Sequence, residues 1–209
     1  STPIPAERKV DWITRLARAG LPRIQATSFV HPKWVPQMAD AADVIAALPA
    51  VDGCVYSALA LNERGVERAL SSGAGAIDLS IATHPQHARD NVNMTVEEGA
   101  ERAEAMIRMA RDGGAEVQLN LQTVWGYAQA EDVDIETVTQ LAERFADQVD
   151  TFSLADSTGR AHPLSIRRRI AAVRKAAPKA RLVLHLHDTR GAGLANVVAA
   201  MESGVDWFD

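Results

Sequence analysis

Short apolar runs recur along this chain at a near-constant interval, each followed by an amphipathic stretch. Strand-compatible runs begin near residues 23, 51, 76, 115, 150, 181 and 205, about 24 to 39 residues apart. That interval holds one strand, one helix and two short connections, which is the signature of βαβ units and a parallel sheet. Seven strands are counted, and the first element is a helix. The fold expected is α/β, a TIM (β/α)8 barrel apparently lacking its first strand and the end of its last. A doubly wound open sheet is the rival. No GxGxxG or Walker-type loop follows any strand, which weakens that rival's nucleotide-binding form. No linker or low-complexity segment interrupts the pattern, so residues 1–209 are expected to form a single barrel domain, incomplete at both ends.

The punctuation between strands fits helices. Ala6–Ala19 places Val10, Ile13, Leu16 and Ala17 at helical spacing, and Gly20 stops it. Pro36–Leu48 reads as a helix with proline in its first turn. Asn62 is a fitting N-cap for a helix to Leu70, and Thr95 with Glu98 forms a capping box for Val96–Arg111. Further helices are expected over Asp134–Ala146, Pro163–Ala176 and Ala192–Glu202, and a polar loop between the third strand and Thr95.

Composition excludes several function classes. Lys and Arg total 22 against 27 Asp and Glu, a net charge of −5, which argues against nucleic acid as a partner. No apolar run approaches the roughly 20 residues of a membrane span, and no charged-then-apolar leader opens the sequence. Cys54 is the only cysteine, so no intrachain disulfide is expected and a reducing cytoplasm is the simplest compartment.

Strand alternation then picks out candidate chemistry. In RLVLHLHD, Leu182, Leu184 and Leu186 share one face, and Val183, His185 and His187 the other. In a barrel the leucines face the helices, and both imidazoles point into the lumen at the C-terminal end, where barrel enzymes build their sites. Two histidines at i, i+2 can reach one metal ion. A pair of hydrogen-bonded core histidines is the alternative, and strand position favours the ligands. AEVQLNLQ sets Gln118, Asn120 and Gln122 on one face, and unpaired buried amides cost about 1–3 kcal/mol each. A hydrated lumen would supply partners; a half-exposed strand is the other reading. AIDLSIA likewise groups Asp78 with Ser80. Asp156 ends its strand in LADSTG and is a candidate base or metal-shell member, or equally a cap for the following turn. Ser157, Asn120 and His84 are candidate substrate contacts on the same rim, with His87 beside them.

Other residues read as structural. Cys54 is expected to be a packed core thiol, Arg167–Arg169 a solvated helix face with one anion contact, and His162 a surface loop residue.

Several runs carry a family resemblance. ATSFVHPKWVPQMAD, Ala26 to Asp40, resembles the segment after the second barrel strand of 3-hydroxy-3-methylglutaryl-CoA lyases. LNERG at Leu61, NVNMTVEE at Asn91, SLADSTG at Ser153 and HLHDTRGAGLANVVAA at His185 follow in order, over nearly the whole chain. The wider group includes isopropylmalate, homocitrate and citramalate synthases and certain aldolases, which make or break a carbon–carbon bond beside a carbonyl through an enolate. The resemblance implies a divalent metal, Mg²⁺ or Mn²⁺, held by His185 and His187. It also implies an aspartate ligand and an arginine that would precede Ser1, and a cysteine that would follow Asp209. The implied activity is cleavage of a 3-hydroxyacyl-CoA such as 3-hydroxy-3-methylglutaryl-CoA to acetoacetate and acetyl-CoA, with a homo-oligomer compatible with it. A Claisen-type synthase or aldolase, or a non-catalytic barrel fragment, are the alternatives; the HPKWVPQMAD run counts against a synthase. The 209 residues by themselves are expected to be inactive.

Three departures stand out. Gln25 occupies a position where the lyases have glutamate, and an amide cannot accept a proton. It is retained as a substrate-binding candidate. THPQH, Thr83–His87, replaces a serine–glutamate segment, and LQTVWGY, Leu121–Tyr127, a small-residue segment containing cysteine.

Overall fold

The structure is a computed structural model and describes residues 3–209. Helix and strand alternate as the spacing predicts: α1 (Ala6–Arg18), β1 (Arg23–Ser28), a 3-10 turn (Pro36–Met38), α2 (Ala41–Ala47), β2 (Val55–Leu59), α3 (Glu63–Ser71) and β3 (Ala76–Ala82). Then come α4 (Pro85–Val92), α5 (Val96–Asp112), β4 (Glu116–Gln122), α6 (Ile135–Phe145), β5 (Thr151–Asp156), α7 (Pro163–Ala176), β6 (Arg181–Leu186), α8 (Gly193–Glu202) and β7 (Trp207–Phe208). The strands follow one another through a seven-stranded parallel sheet in chain order. A doubly wound sheet reverses its strand order at a switch point. Strict chain order has no such reversal and is the order of a (β/α) barrel.

Contacts group the residues into two compact units. The first comprises the chain up to Leu79 together with Ala105–Val117. Here β1 pairs with β2, Arg23 opposite Val55, and β2 with β3, Ser57 opposite Ala76. Val44, Ile45, Val66, Ile77 and Ile107 are buried at its core. Lys9 ties α1 to the residue before α2, donating to Asp40 at 2.7 Å.

The second unit comprises Ser80–Glu104 and Gln118–Asp209. Gln118 lies opposite Thr151, Thr151 opposite Arg181, and Val183 opposite Trp207. Leu119, Phe152, Leu154 and Leu184 fill its core with Phe145 and Ile166 from α6 and α7. Each such side chain contributes roughly 1.5–3 kcal/mol by leaving water. All six residues of β5 are buried, as a parallel strand covered on both faces requires.

Helix starts follow local chemistry. Asn62 accepts from the Gly65 N–H at 2.8 Å, and Thr95 and Glu98 satisfy each other's backbone N–H at 2.7 and 3.1 Å. Several expectations need correcting: Pro36–Leu48 is a 3-10 turn and a separate α2 rather than one helix, and Cys54 is half-buried just before β2 rather than packed in the core. The stretch read as a polar loop after β3 holds α4, started by His84, which accepts from Gln86 N, and by Pro85 in the first turn. Its only buried residue is Ala88, so it shows no apolar periodicity. His162 is not a free loop residue: it caps α7, accepting from Ser165 N at 3.4 Å while its own N–H donates to Ser165 Oγ at 3.0 Å. Within the arginine run, Arg169 is 4 % exposed and donates to the Val133 carbonyl at 2.7 Å, so that face is not uniformly solvated. No helix among the described residues is long and apolar enough to cross a membrane.

Candidate active site

β6 ends at Leu186, so His185 projects from the strand and His187 lies one residue beyond it. The two rings meet at their Nε2 atoms, 3.1 Å apart, with centroids 5.0 Å apart. The opposite nitrogen of His185, Nδ1, lies 2.8 Å from Asp209 Oδ1, just past β7. That hydrogen bond raises the His185 pKa, against a lowering effect of burial. It also fixes the ring, with Nδ1 turned to the carboxylate and Nε2 toward His187.

Asp156 ends β5 and is 1 % exposed. Its Oδ1 accepts from Arg160 N at 2.8 Å and its Oδ2 from Ala161 N at 3.0 Å. The carboxylate therefore caps the tight turn behind it, one of the two readings the sequence left open. Burial pushes its pKa up, while those two N–H groups and the charges of His187 and Arg190 pull it down; the net direction is upward. Arg190 braces the same turn through the Gly159 and Arg160 carbonyls, at 3.0 and 2.6 Å.

Ser157 follows, and its Oγ accepts from the Thr123 N–H at 3.0 Å. Thr123 is fully buried with φ +60°, a left-handed conformation that strains a β-branched residue. Thr83 Oγ1 donates to the Gln122 carbonyl at 2.8 Å beside it. Asn120, on the same strand as Gln122, has its amide oxygen buried with no hydrogen-bond partner among the described residues. His84 and His87 both lie against the Tyr127 ring, with centroids at 5.3 and 4.9 Å. His87 Nε2 is 3.1 Å from Gln122 Oε1, and His84 Nε2 is 3.6 Å from Asp132.

Comparison with known proteins supplies the wider frame. The profile of the HMGL-like family matches residues 1–209. The chain belongs to the HMGL-like family. It is 36 % identical over 207 residues to a hydroxymethylglutaryl-CoA lyase of Bacillus subtilis, covering 99 % of this chain and 69 % of that protein. A Pseudomonas aeruginosa protein, named 3-hydroxy-3-isohexenylglutaryl-CoA/hydroxymethylglutaryl-CoA lyase, is 36 % identical over 209 residues, with the same two coverages. A solved HMG-CoA lyase from Acinetobacter baumannii, in complex with coenzyme A and 3-methylmalate, aligns with a TM-score of 0.90 and 29 % identity, over 100 % of this chain and 68 % of that one. The chain spans about two thirds of the length of the curated relatives it matches.

For this HMGL-like chain the fit of a metal can be tested on the two histidines. Nitrogen ligands about 2.1 Å from an ion and at right angles around it stand about 3.0 Å apart. The 3.1 Å between the Nε2 atoms matches that separation, and in this structure it is a hydrogen bond between the two rings, the other reading the sequence left open. A carboxylate on the far nitrogen of one ring is the usual support for a ligating imidazole. Among the described residues no group of three His, Cys, Asp or Glu could hold an ion, so two imidazole donors are what this chain offers one.

Sequence reasoning missed Asp209 as the partner of His185, Thr123 as the strained neighbour of Ser157, and Asp132. In the first unit, Gln25 is the third residue of β1, mid-strand rather than at a strand end, opposite Ser57. Its amide donates to Asp78 Oδ2 at 2.7 Å; Ser57 and Arg23 donate to the same carboxylate, each at 2.6 Å. The alternation of AIDLSIA placed Asp78 on the polar face; the three donors come from other strands and left no local signal.

Proposed function

We propose that this chain is the core of a divalent-metal-dependent carbon–carbon lyase acting on a 3-hydroxyacyl-CoA, with 3-hydroxy-3-methylglutaryl-CoA the first substrate to test. The observation that carries it is the convergence of His185 Nε2 and His187 Nε2 with Asp209 behind one ring. The relatives' names supply the substrate class, and coenzyme A in one related structure supports the thioester.

The bound Mg²⁺ or Mn²⁺ would act as a Lewis acid toward substrate oxygens. His185 and His187 would hold it, and Asp209 keeps His185 in the tautomer that offers Nε2. Asp156, whose two oxygens also accept the Arg160 and Ala161 N–H groups, is proposed to take the proton of the 3-hydroxyl on a remaining lone pair, and a pKa raised by burial suits it to that exchange. As that proton leaves, the electron pair of the oxygen becomes the acetoacetate carbonyl. The C2–C3 bond breaks, and its pair passes to the thioester as an enolate, which a proton returns to acetyl-CoA. Asn120 offers an unpaired oxygen to a substrate donor, and the Ser157 hydroxyl, already accepting from Thr123, is left to donate. His84 lines the rim beside Tyr127.

The test is a panel of 3-hydroxyacyl-CoA thioesters offered with Mg²⁺ or Mn²⁺ to the protein that carries this chain. Acetoacetate and acetyl-CoA should appear from 3-hydroxy-3-methylglutaryl-CoA, and both His185→Gln and chelation should remove at least about 99 % of the rate. Metal-loaded protein that cleaves no thioester would refute the reading.

A further inference from the structure

In the first unit, a cavity of about 220 Å³ opens where β1 and β2 end. Phe29, Val30 and Pro32 give it apolar walls, and Arg64 and Arg68 of α3 line it with His31. The two arginines stand at i, i+4 on one helix, an arrangement that mutual repulsion disfavours unless something offsets it. Neither forms an ion pair among the described residues. Arg68 is half-buried, its guanidinium 5.3 Å from the centre of the buried Phe29 ring. Arg64 is exposed and makes no hydrogen bond among the described residues. His31 accepts the Lys33 N–H at Nδ1, 3.2 Å away, so its Nε2 carries the ring proton and can donate. Glu63 and Glu67 share the helix but do not line the cavity. Gly65 lets the helix close on the strand end: a Cβ there would stand 3.0 Å from the Phe29 carbonyl.

We propose that this cavity binds the phosphate group of a phosphate ester, the arginines and His31 taking the phosphate and the Phe29–Pro32 wall its organic carrier. Two guanidiniums match a group carrying about two negative charges better than a single carboxylate, and the planar fork of arginine suits phosphate oxygens. The volume is roughly seven times a water molecule's share of the liquid, more than a bare phosphate fills. The carrier is either the nucleotide end of coenzyme A or a free nucleotide. The proposal stands apart from the lyase reading, because binding is read without metal and without turnover.

Calorimetric titration of the full chain with adenosine 5′-monophosphate, adenosine, coenzyme A and dephospho-coenzyme A tests it. Adenosine 5′-monophosphate should bind and adenosine should not, with affinity falling as salt is raised. Arg64→Gln should weaken that binding by about tenfold, and adding Arg68→Gln should reduce it below detection. Arg64 is exposed, so the single variant tests binding without risk to folding. Coenzyme A or dephospho-coenzyme A binding at least as tightly as adenosine 5′-monophosphate would make the thioester's own nucleotide the occupant; failure of both to bind, with adenosine 5′-monophosphate retained, would make it a free nucleotide. Phosphate-bearing probes that all fail to bind at millimolar concentration, or affinities unchanged in the double variant, would overturn the proposal.

Discussion

Asp132 collects more backbone donors than any other carboxylate described above. The N–H groups of Tyr127, Ala128 and Gln129 point at it from 2.7, 2.9 and 2.7 Å, and His84 lies 3.6 Å away. Partial burial works to raise its pKa; the N–H donors and His84 outweigh that and hold it below the usual carboxylate range. A carboxyl depressed in the folded state stabilises above its unfolded pKa, near 3.9, and loses that contribution as pH falls through the folded value. Asp132→Asn should therefore cost about 1–2 kcal/mol at neutral pH. The gap between wild-type and variant melting temperatures should be constant above about pH 5 and close in stronger acid. A gap of equal size at every pH would show that the carboxylate's charge is irrelevant. Thr123 is the other residue whose backbone matters, since its left-handed φ aims its N–H at Ser157.

α7 shows how a helix can start on an unusual residue. His162 and Ser165 satisfy each other's backbone N–H, the arrangement normally built from Ser or Thr with Glu or Gln. Ser165→Ala removes one half and should cost about 1 kcal/mol in urea unfolding, whereas His162→Asn, a good capping residue, should cost far less. A Ser165→Ala variant as stable as the wild type would mean that the box contributes nothing. The elements legible beforehand were those with periodicity: the strand spacing, the alternation around His185 and His187, and the caps at Asn62 and Thr95. α4 escaped because Ala88 alone is buried in it, and His162 because imidazole is not among the residues expected at an N-cap. Arg169 and Gln25 were misplaced for a different reason. Their surroundings are made by Val133 and Asp78, which lie 36 and 53 residues away in the chain, and local pattern cannot report such contacts.

For the whole molecule, the chain passes between the two units at Leu79, Glu104 and Val117, so β3, α5 and β4 each contribute residues to both. Neither unit is a continuous stretch of sequence, and melting one would break strands that the other needs. We propose that the 209 residues behave as one domain: heat should produce a single transition with equal calorimetric and van't Hoff enthalpies. Two resolved peaks would refute it. The order of the sheet bears on how such a chain is made. Each strand pairs with the one before it, Val55 against Arg23, Thr151 against Gln118, Arg181 against Thr151 and Trp207 against Val183, and neighbouring strands begin only about 20 to 40 residues apart. A chain emerging from the ribosome therefore meets an already formed neighbour at each of β2 to β7, and this part of the sheet can grow by accretion, one strand on the last.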